Sequence, residues 1–316
     1  MRLTILDAMD MDSPGTRTTR RLVPRSWVER SQRLSPTSRG ILWALAAGVQ
    51  FSIMNTIARK MTQELDPFQA QFLRYFLGLL VMLPLVLRSG FPAFRPNGLG
   101  GQVWRGVVHT AGLMLWFYAL PHIPLATMTA LGFTTPIFIM IGAAWLLHER
   151  ISRARWAAAL IGFAGVLVVL APRLSTGGGL YTLLMLASSP VFAASFLITK
   201  ELTRRDNSEV IVVWQSIMVS LFTMPLAIVY WAWPTPVQWM WFLIAGVLGS
   251  AGHYSLTQSF RVADISATQS VRFLDLIWAA LLGFMVFGDV PSQWTLVGGL
   301  VIFASTVWIA RRESRG

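Results

Sequence analysis

The chain has 316 residues, of which 54% are apolar and only 13% charged, with a mean hydropathy of +0.57. A soluble domain carries about 25% charged residues, so this composition excludes a protein built on one soluble core. The formal charge of +12 would suit a nucleic-acid binder. The basic residues, however, stand in short clusters between apolar runs, which is the signature of a polytopic membrane protein. With no cysteine in the chain, disulfides, thiolate nucleophiles and cysteine-ligated metals are excluded.

Residues 1–38 hold Arg, Ser and Pro and no apolar run of signal-peptide length, and are expected to form a disordered basic tail on the cytoplasmic side. Ten apolar runs follow, at 40–59, 67–87, 105–120, 124–147, 155–171, 179–199, 210–231, 238–260, 265–287 and 294–310. Most approach the length of about 20 residues that a helix needs to cross a bilayer. With the first residue placed inside, nearly all of the 26 Lys and Arg fall on the inner side. Arg59, Lys60 and Arg173 alone fall outside, and Arg74 and Arg272 fall within runs. Such a bias predicts ten crossings of the inner (cell) membrane with both termini cytoplasmic.

The two halves repeat. At an offset of 140, Lys60 matches Lys200, Ala111-Gly112 matches Ala251-Gly252, Phe133 matches Phe273 and Glu149 matches Asp289. At 141, Pro84 matches Pro225 and Arg74 falls on Gln215. The expected division is a first repeat over 39–172, a second over 173–311 and a short cytoplasmic tail, 312–316. Five runs per half is an odd number, so the second repeat enters the membrane from the opposite side. Inverted repeats of this kind present a central site to each face in turn.

Arg272 and Asp275 stand near the middle of the run 265–287, where a charge costs at least about 2.5 kcal/mol. Three positions apart, they share one face of a continuous helix and partly neutralise each other. The pair is either an internal brace or part of a polar path. Arg74, in Phe72-Leu73-Arg74-Tyr75-Phe76, either meets a carboxylate or phosphate there or snorkels to the interface. His253, deep in the eighth run, and His109, a few residues into the third, are of the type that carries protons or, more simply, packs by hydrogen bonding. Trp116, Tyr118 and Trp278 are candidates to stack on a planar ring. Glu149 and Asp289 close their runs, as loop ion pairs or as braces between the halves. Ala158/Gly162 and Ala245/Gly249, spaced by four, predict close helix packing. No histidine pair has metal-ligand spacing, and no Gly-Lys-Ser/Thr loop is present to cradle phosphate, so neither metal nor cofactor is expected.

Leu120–Pro172, LPHIPLATMTALGFTTPIFIMIGAAWLLHERISRARWAAALIGFAGVLVVLAP, and its counterpart ADISATQSVRFLDLIWAALLGFMVFGDVPSQWTLVGGLVIF share a short turn into a helix, an acidic residue at the helix end and a Gly-containing helix. Both resemble the EamA unit of the drug/metabolite transporter superfamily, over roughly residues 40–310. The second copy departs from the pattern, with Leu276 in place of Pro136 and Asp289 in place of the usual Glu, and looser packing is expected there. The resemblance implies an all-α polytopic membrane protein of ten transmembrane helices in two inverted five-helix repeats. It implies a secondary transporter of a small organic metabolite or drug, with S-adenosylmethionine-, riboflavin- or amino-acid-like substrates, working by alternating access. Arg272, Asp275, Arg74, His253, Trp116 and Tyr118 would line the substrate and proton pathway. The expected partners are a small-molecule substrate and the lipid bilayer, with a homodimer left open and no nucleic acid. A membrane receptor or assembly subunit, and an intramembrane enzyme, are the competing classes. The latter needs a nucleophile–base pair or metal cluster, which the sequence lacks.

Overall fold

A computed structural model describes residues 34–132, 134–174, 179–290 and 293–313. The basic tail therefore lies almost wholly outside the described residues, as do Phe133 and the side chain of Arg173. Among the described residues the chain is helical throughout, in the order α1 (Pro36–Glu64), α2 (Pro67–Ser89), α3 (Leu99–Ala119), α4 (Leu125–Gly132), α5 (Thr134–Leu146), α6 (Arg153–Leu174), α7 (Gly179–Leu202), α8 (Ser208–Val229), α9 (Pro236–Val262), α10 (Ile265–Gln269), α11 (Asp275–Phe287) and α12 (Gln293–Glu313). Short 3-10 turns occupy Phe91–Phe94, Leu120–His122 and Ser270–Leu274.

Helix starts follow from local chemistry. Ser35-Pro36, Asp66-Pro67 and Thr235-Pro236 each place a capping side chain before a proline in the first turn. The cap oxygen takes up otherwise unsatisfied N–H groups, and proline has no N–H to lose there. Asp66 accepts from Phe68 and Gln69, and Thr235 forms a reciprocal capping box with Gln238. α11 ends where Gly288 adopts φ 68°, the left-handed conformation that suits glycine.

Helix bounds in the two halves agree to within three residues at an offset of 140: α1 with α7, α2 with α8, α3 with α9, α4–α5 with α10–α11, and α6 with α12. At that register Gln215 stands opposite Tyr75, and the counterpart of Arg74 is Trp214. The halves are interleaved rather than side by side. α1 packs along α9 and α11 of the second half, and α7 packs along α3 and α5 of the first. In α1–α9, Gly40 lies against Ser259 and Ala263, while Phe51 lies against Gly252. In α7–α3, Leu202 lies against Gly101 and Phe192 against Gly112. Both pairs therefore run antiparallel. Two counterpart pairs, α2–α8 and α6–α12, also pack antiparallel on each other. Gln69, at the start of α2, donates to the Ala232 carbonyl beyond the end of α8 and accepts from the Ala232 N–H. Ser305, late in α12, donates to the Ala158 carbonyl, early in α6.

Two corrections concern the expected spans. The run 265–287 is not one helix but α10, a 3-10 turn and α11, so Arg272 and Asp275 sit at a break rather than on a regular helical face. The third helix begins at Leu99, not Arg105, so Arg105 is an interior residue, 1% exposed, rather than a loop charge. In the second copy Leu276 is buried, and Asp289 accepts from Arg59 at 2.7 Å across the halves. Glu149, its counterpart, accepts from the N–H of Ile265 at the start of α10. Both acidic residues are braces between the halves.

Polarity is inverted relative to a soluble protein. Gln69, Gln71, Ser189, Thr223 and Thr268 are sealed inside. Leu87, Trp145, Ile228, Val229 and Leu300 are exposed outside, a surface suited to lipid. Five stretches among the described residues, Pro36–Glu64, Pro67–Ser89, Leu125–Leu146, Leu180–Leu202 and Ser208–Val229, are long and apolar enough to cross a membrane.

The tightest backbone approach joins α2 to α9, where a methyl group on Gly246 would come within 2.7 Å of the Gly78 backbone nitrogen. Gly246→Ala therefore forces the helices apart and is expected to lower stability by about 1–3 kcal/mol. Gly98→Ala, with nothing within 4 Å, is expected to change little. Thermal unfolding of the two variants in detergent checks this; equal melting temperatures would contradict the close packing.

Candidate functional site

Between the interleaved halves lies a cavity of about 150 Å³ to which both contribute. α1 supplies Phe51, Ser52, Met54 and Asn55, α2 supplies Arg74 and Tyr75, and α3 supplies His109 and Trp116. The fourth rod of the first half, α4 and α5, adds Met128, Thr135 and Pro136, while α7 adds Ser188, Phe192 and Phe196. From the second half come also His253 on α9, Arg272 in the 3-10 turn and Asp275 at the head of α11. The arrangement follows the interleaving. α1 and α7 are the two helices embedded in the opposite half, so both face the middle. The 3-10 turn Ser270–Leu274 brings irregular backbone to the same level. In lipid such backbone is tolerated only where protein or a cavity surrounds it.

Arg272 and Asp275 remain close despite the break. The Arg272 Nε lies 3.6 Å from the Asp275 Oδ2, and the guanidinium carbon is 5.7 Å from the centre of the Phe196 ring. Asp275 also lies hard against α1. A methyl group on Gly48 would come within 2.1 Å of its Oδ1, so that glycine makes room for the carboxylate. As the first residue of α11, Asp275 further meets the positive end of the helix dipole.

A polar chain runs from the cavity wall into the bundle. The Tyr75 hydroxyl lies 3.1 Å from Nε2 of both His109 and His253. The Nδ1 of His109 is 2.9 Å from the Ser195 hydroxyl. The Gln215 amide nitrogen lies 3.3 Å from the Nε2 of His253, and its oxygen accepts from Arg105 at 2.6 Å. Arg105 donates further to the Thr199 hydroxyl and the Ile211 carbonyl. The hydroxyl of Tyr75 has one proton, so it donates to one imidazole and accepts from the other.

The structure thus brings together Arg272, Asp275, Arg74, His253 and Trp116 of the expected pathway residues. Tyr118 is not among them. Two positions beyond Trp116 it points about 200° round the helix, is exposed, and stacks on Phe68 at 6.1 Å. Trp278 is likewise largely exposed and outside the cavity wall. Gly249, expected to serve helix packing, gives its space to Arg74, whose Nη2 would meet a methyl group there at 2.9 Å. The sequence reading did not single out Tyr75 and placed His109 near the start of its helix. The true start of α3 at Leu99 puts His109 midway along its helix rather than near the end. The Tyr75–Gln215 correspondence at offset 140 was the available signal.

A model of the EamA-like transporter family matches residues 38–171 and again 179–311. Among similar proteins, a riboflavin transporter of Rhizobium johnstonii is 34% identical over 279 residues, covering 87% of this chain and 92% of the relative. An S-adenosylmethionine uptake transporter of Rickettsia prowazekii is 28% identical, covering 87% of this chain and 94% of the relative. A pseudopaline exporter of Pseudomonas aeruginosa is 27% identical, covering 87% and 96% respectively. One solved crystal structure superposes with a TM-score of 0.72 at 20% identity, covering 88% of this chain and 98% of that one, and shares the fold.

Removing the hydroxyl of Tyr75 leaves the buried His109 Nε2 without its partner and His253 Nε2 with Gln215 alone, at about 1–3 kcal/mol. Tyr75→Phe is therefore expected to melt well below the wild type in detergent, while Tyr118→Phe is not. Coincident melting curves for wild type and Tyr75→Phe would show that the hydroxyl bridges nothing.

Proposed function

This chain belongs to the EamA-like transporter family, and on that footing we propose that it carries a small organic metabolite across the cell membrane by alternating access. The observation that carries this reading is the central cavity, walled by both antiparallel halves and lined by aromatic rings beside ionisable groups. Aromatic walls suit a solute with a ring or other flat apolar body. Its partners on this reading are that solute and the bilayer.

The proposal extends to ten crossings of the inner membrane with both termini cytoplasmic. The offset-140 register and the antiparallel packing of counterpart helices support it, together with the bias of Lys and Arg. The relatives named for riboflavin, S-adenosylmethionine and pseudopaline support a metabolite rather than an inorganic ion. They include both an uptake transporter and an exporter, so the direction of transport is left to experiment. The cavity volume of about 150 Å³ is below the roughly 300–1,000 Å³ of ordinary ligand pockets. A metabolite of flavin size enters only if the walls part, which is what a gated carrier does. Pro136 in α5 and the 3-10 turn Ser270–Leu274, both at the cavity, are the points at which the fourth rods can flex.

Purified protein in liposomes tests this with radiolabelled riboflavin and S-adenosylmethionine. Asp275→Asn keeps the size of the side chain and removes its charge, and is expected to reduce initial flux at least about tenfold. Wild-type flux in the Asp275→Asn variant would remove that carboxylate from the mechanism.

A further inference from the structure

Three arginines among the described residues are more than nine-tenths buried: Arg59, Arg74 and Arg105. Arg59 donates to Asp289, and Arg105 has three oxygen acceptors. Arg74 differs from both. Its Nε points at the Met54 sulfur at 2.7 Å, and its guanidinium carbon sits 4.3 Å from the centre of the Tyr75 ring. The open backbone at Gly249 lies against its other side. None of these neighbours carries negative charge; Arg74 lines the cavity, and its guanidinium has no oxygen acceptor among the described residues. A guanidinium stays charged in any protein environment. An uncompensated buried charge costs several kcal/mol. Nearby, Arg272 and Asp275 offset each other, and the other ionisable cavity groups, His109, His253 and Tyr75, are engaged with one another and provide no anion. The cavity is left with one surplus positive charge, held on a planar fork.

We propose that Arg74 is the anchor for an anionic group on the transported solute, so that the substrate is an organic compound bearing a carboxylate or phosphate whose apolar body lies against Phe51, Trp116 and Phe192. This rests on the transport reading above and narrows its substrate class. The fork geometry suits two-point pairing with either oxyanion. Met54 and Tyr75 hold the guanidinium from one side without neutralising it, and Gly249 leaves it room from the other. The charge is thus kept available for the ligand.

The test uses the full-length chain in nanodiscs and two pairs of probes that differ in one anionic group. The pairs are flavin mononucleotide against riboflavin, and S-adenosylmethionine against its decarboxylated analogue. In at least one pair the member bearing the anionic group binds about ten- to a hundredfold more tightly, the range of a charge-assisted hydrogen bond. Arg74→Gln abolishes that preference and leaves the affinity of the member lacking the group unchanged, while Arg74→Lys restores part of it. Because the guanidinium has no protein counter-ion, ligand-free Arg74→Gln melts at or above the wild-type temperature. Equal affinities within both pairs, a preference that survives Arg74→Gln, a wild type that binds none of the four, or a variant that melts far below wild type would each overturn the proposal. The last would make Arg74 a structural brace. Liposome flux separates the two readings. An anion preference without flux of any probe contradicts transport and keeps the site. Flux of the members bearing the anionic group that is unaltered by Arg74→Gln keeps transport and contradicts the anion anchor.

Discussion

Each half of this protein buries its first helix in the other half, and the rest of the architecture follows from that exchange. α1 lies antiparallel along α9, and α7 lies antiparallel along α3. Neither helix has a complete packing surface within its own repeat. Close approaches between the halves sit at matching places: Gly78 against Gly246 between α2 and α9, and Gly106 against Met218 between α3 and α8. Apolar burial gives little drive for helix association inside lipid, because lipid tails are as apolar as leucine. Close approach and polar contacts between helices must hold the halves together instead. The Arg59–Asp289 pair and the Glu149–Ile265 hydrogen bond do so at corresponding positions of the two repeats.

The same exchange decides where charge is allowed. An interior reached by two embedded helices and by the 3-10 turn Ser270–Leu274 holds both irregular backbone and unfilled space. The arginines record this. Arg59 meets a carboxylate, Arg105 is satisfied by neutral oxygens, and Arg272 is offset by Asp275 beside Gly48. Arg74 opens on the cavity. The polar chain through Tyr75, His109, His253, Gln215 and Ser195 ties α2, α3, α7, α8 and α9 to one another at that level. A change of spacing at the cavity is therefore felt in five helices at once.

Much of this was legible in the sequence, because lipid imposes simple rules. Apolar runs and Lys/Arg clusters marked the helical segments, and the offset of 140 marked the repeat. Arg272, Asp275, Arg74, His253 and Trp116 stood out as polar or aromatic groups in apolar surroundings, and all line the cavity. The failures share a physical cause, which is that hydropathy sees composition and not backbone geometry. Leu99-Gly100-Gly101 reads as a loop, yet it begins α3, and starting the helix late misplaced both Arg105 and His109. The break at Ser270–Leu274 contains no proline or glycine to announce it. Tyr118 was grouped with Trp116 by proximity in sequence, although two residues along a helix is the wrong spacing for one face. The niche that Gly48 provides for Asp275 joins positions remote in sequence and had no local signature.

The central claim is that the two halves lie antiparallel across one bilayer. The native chain has no cysteine, so a single introduced thiol reports its own side of the membrane without interference. Glu64 and Arg204 are exposed and occupy corresponding positions at the ends of α1 and α7. Glu64→Cys and Arg204→Cys, probed with a membrane-impermeant thiol reagent in sealed vesicles of known orientation, are predicted to react from opposite faces. Reaction of both from the same face would contradict the account.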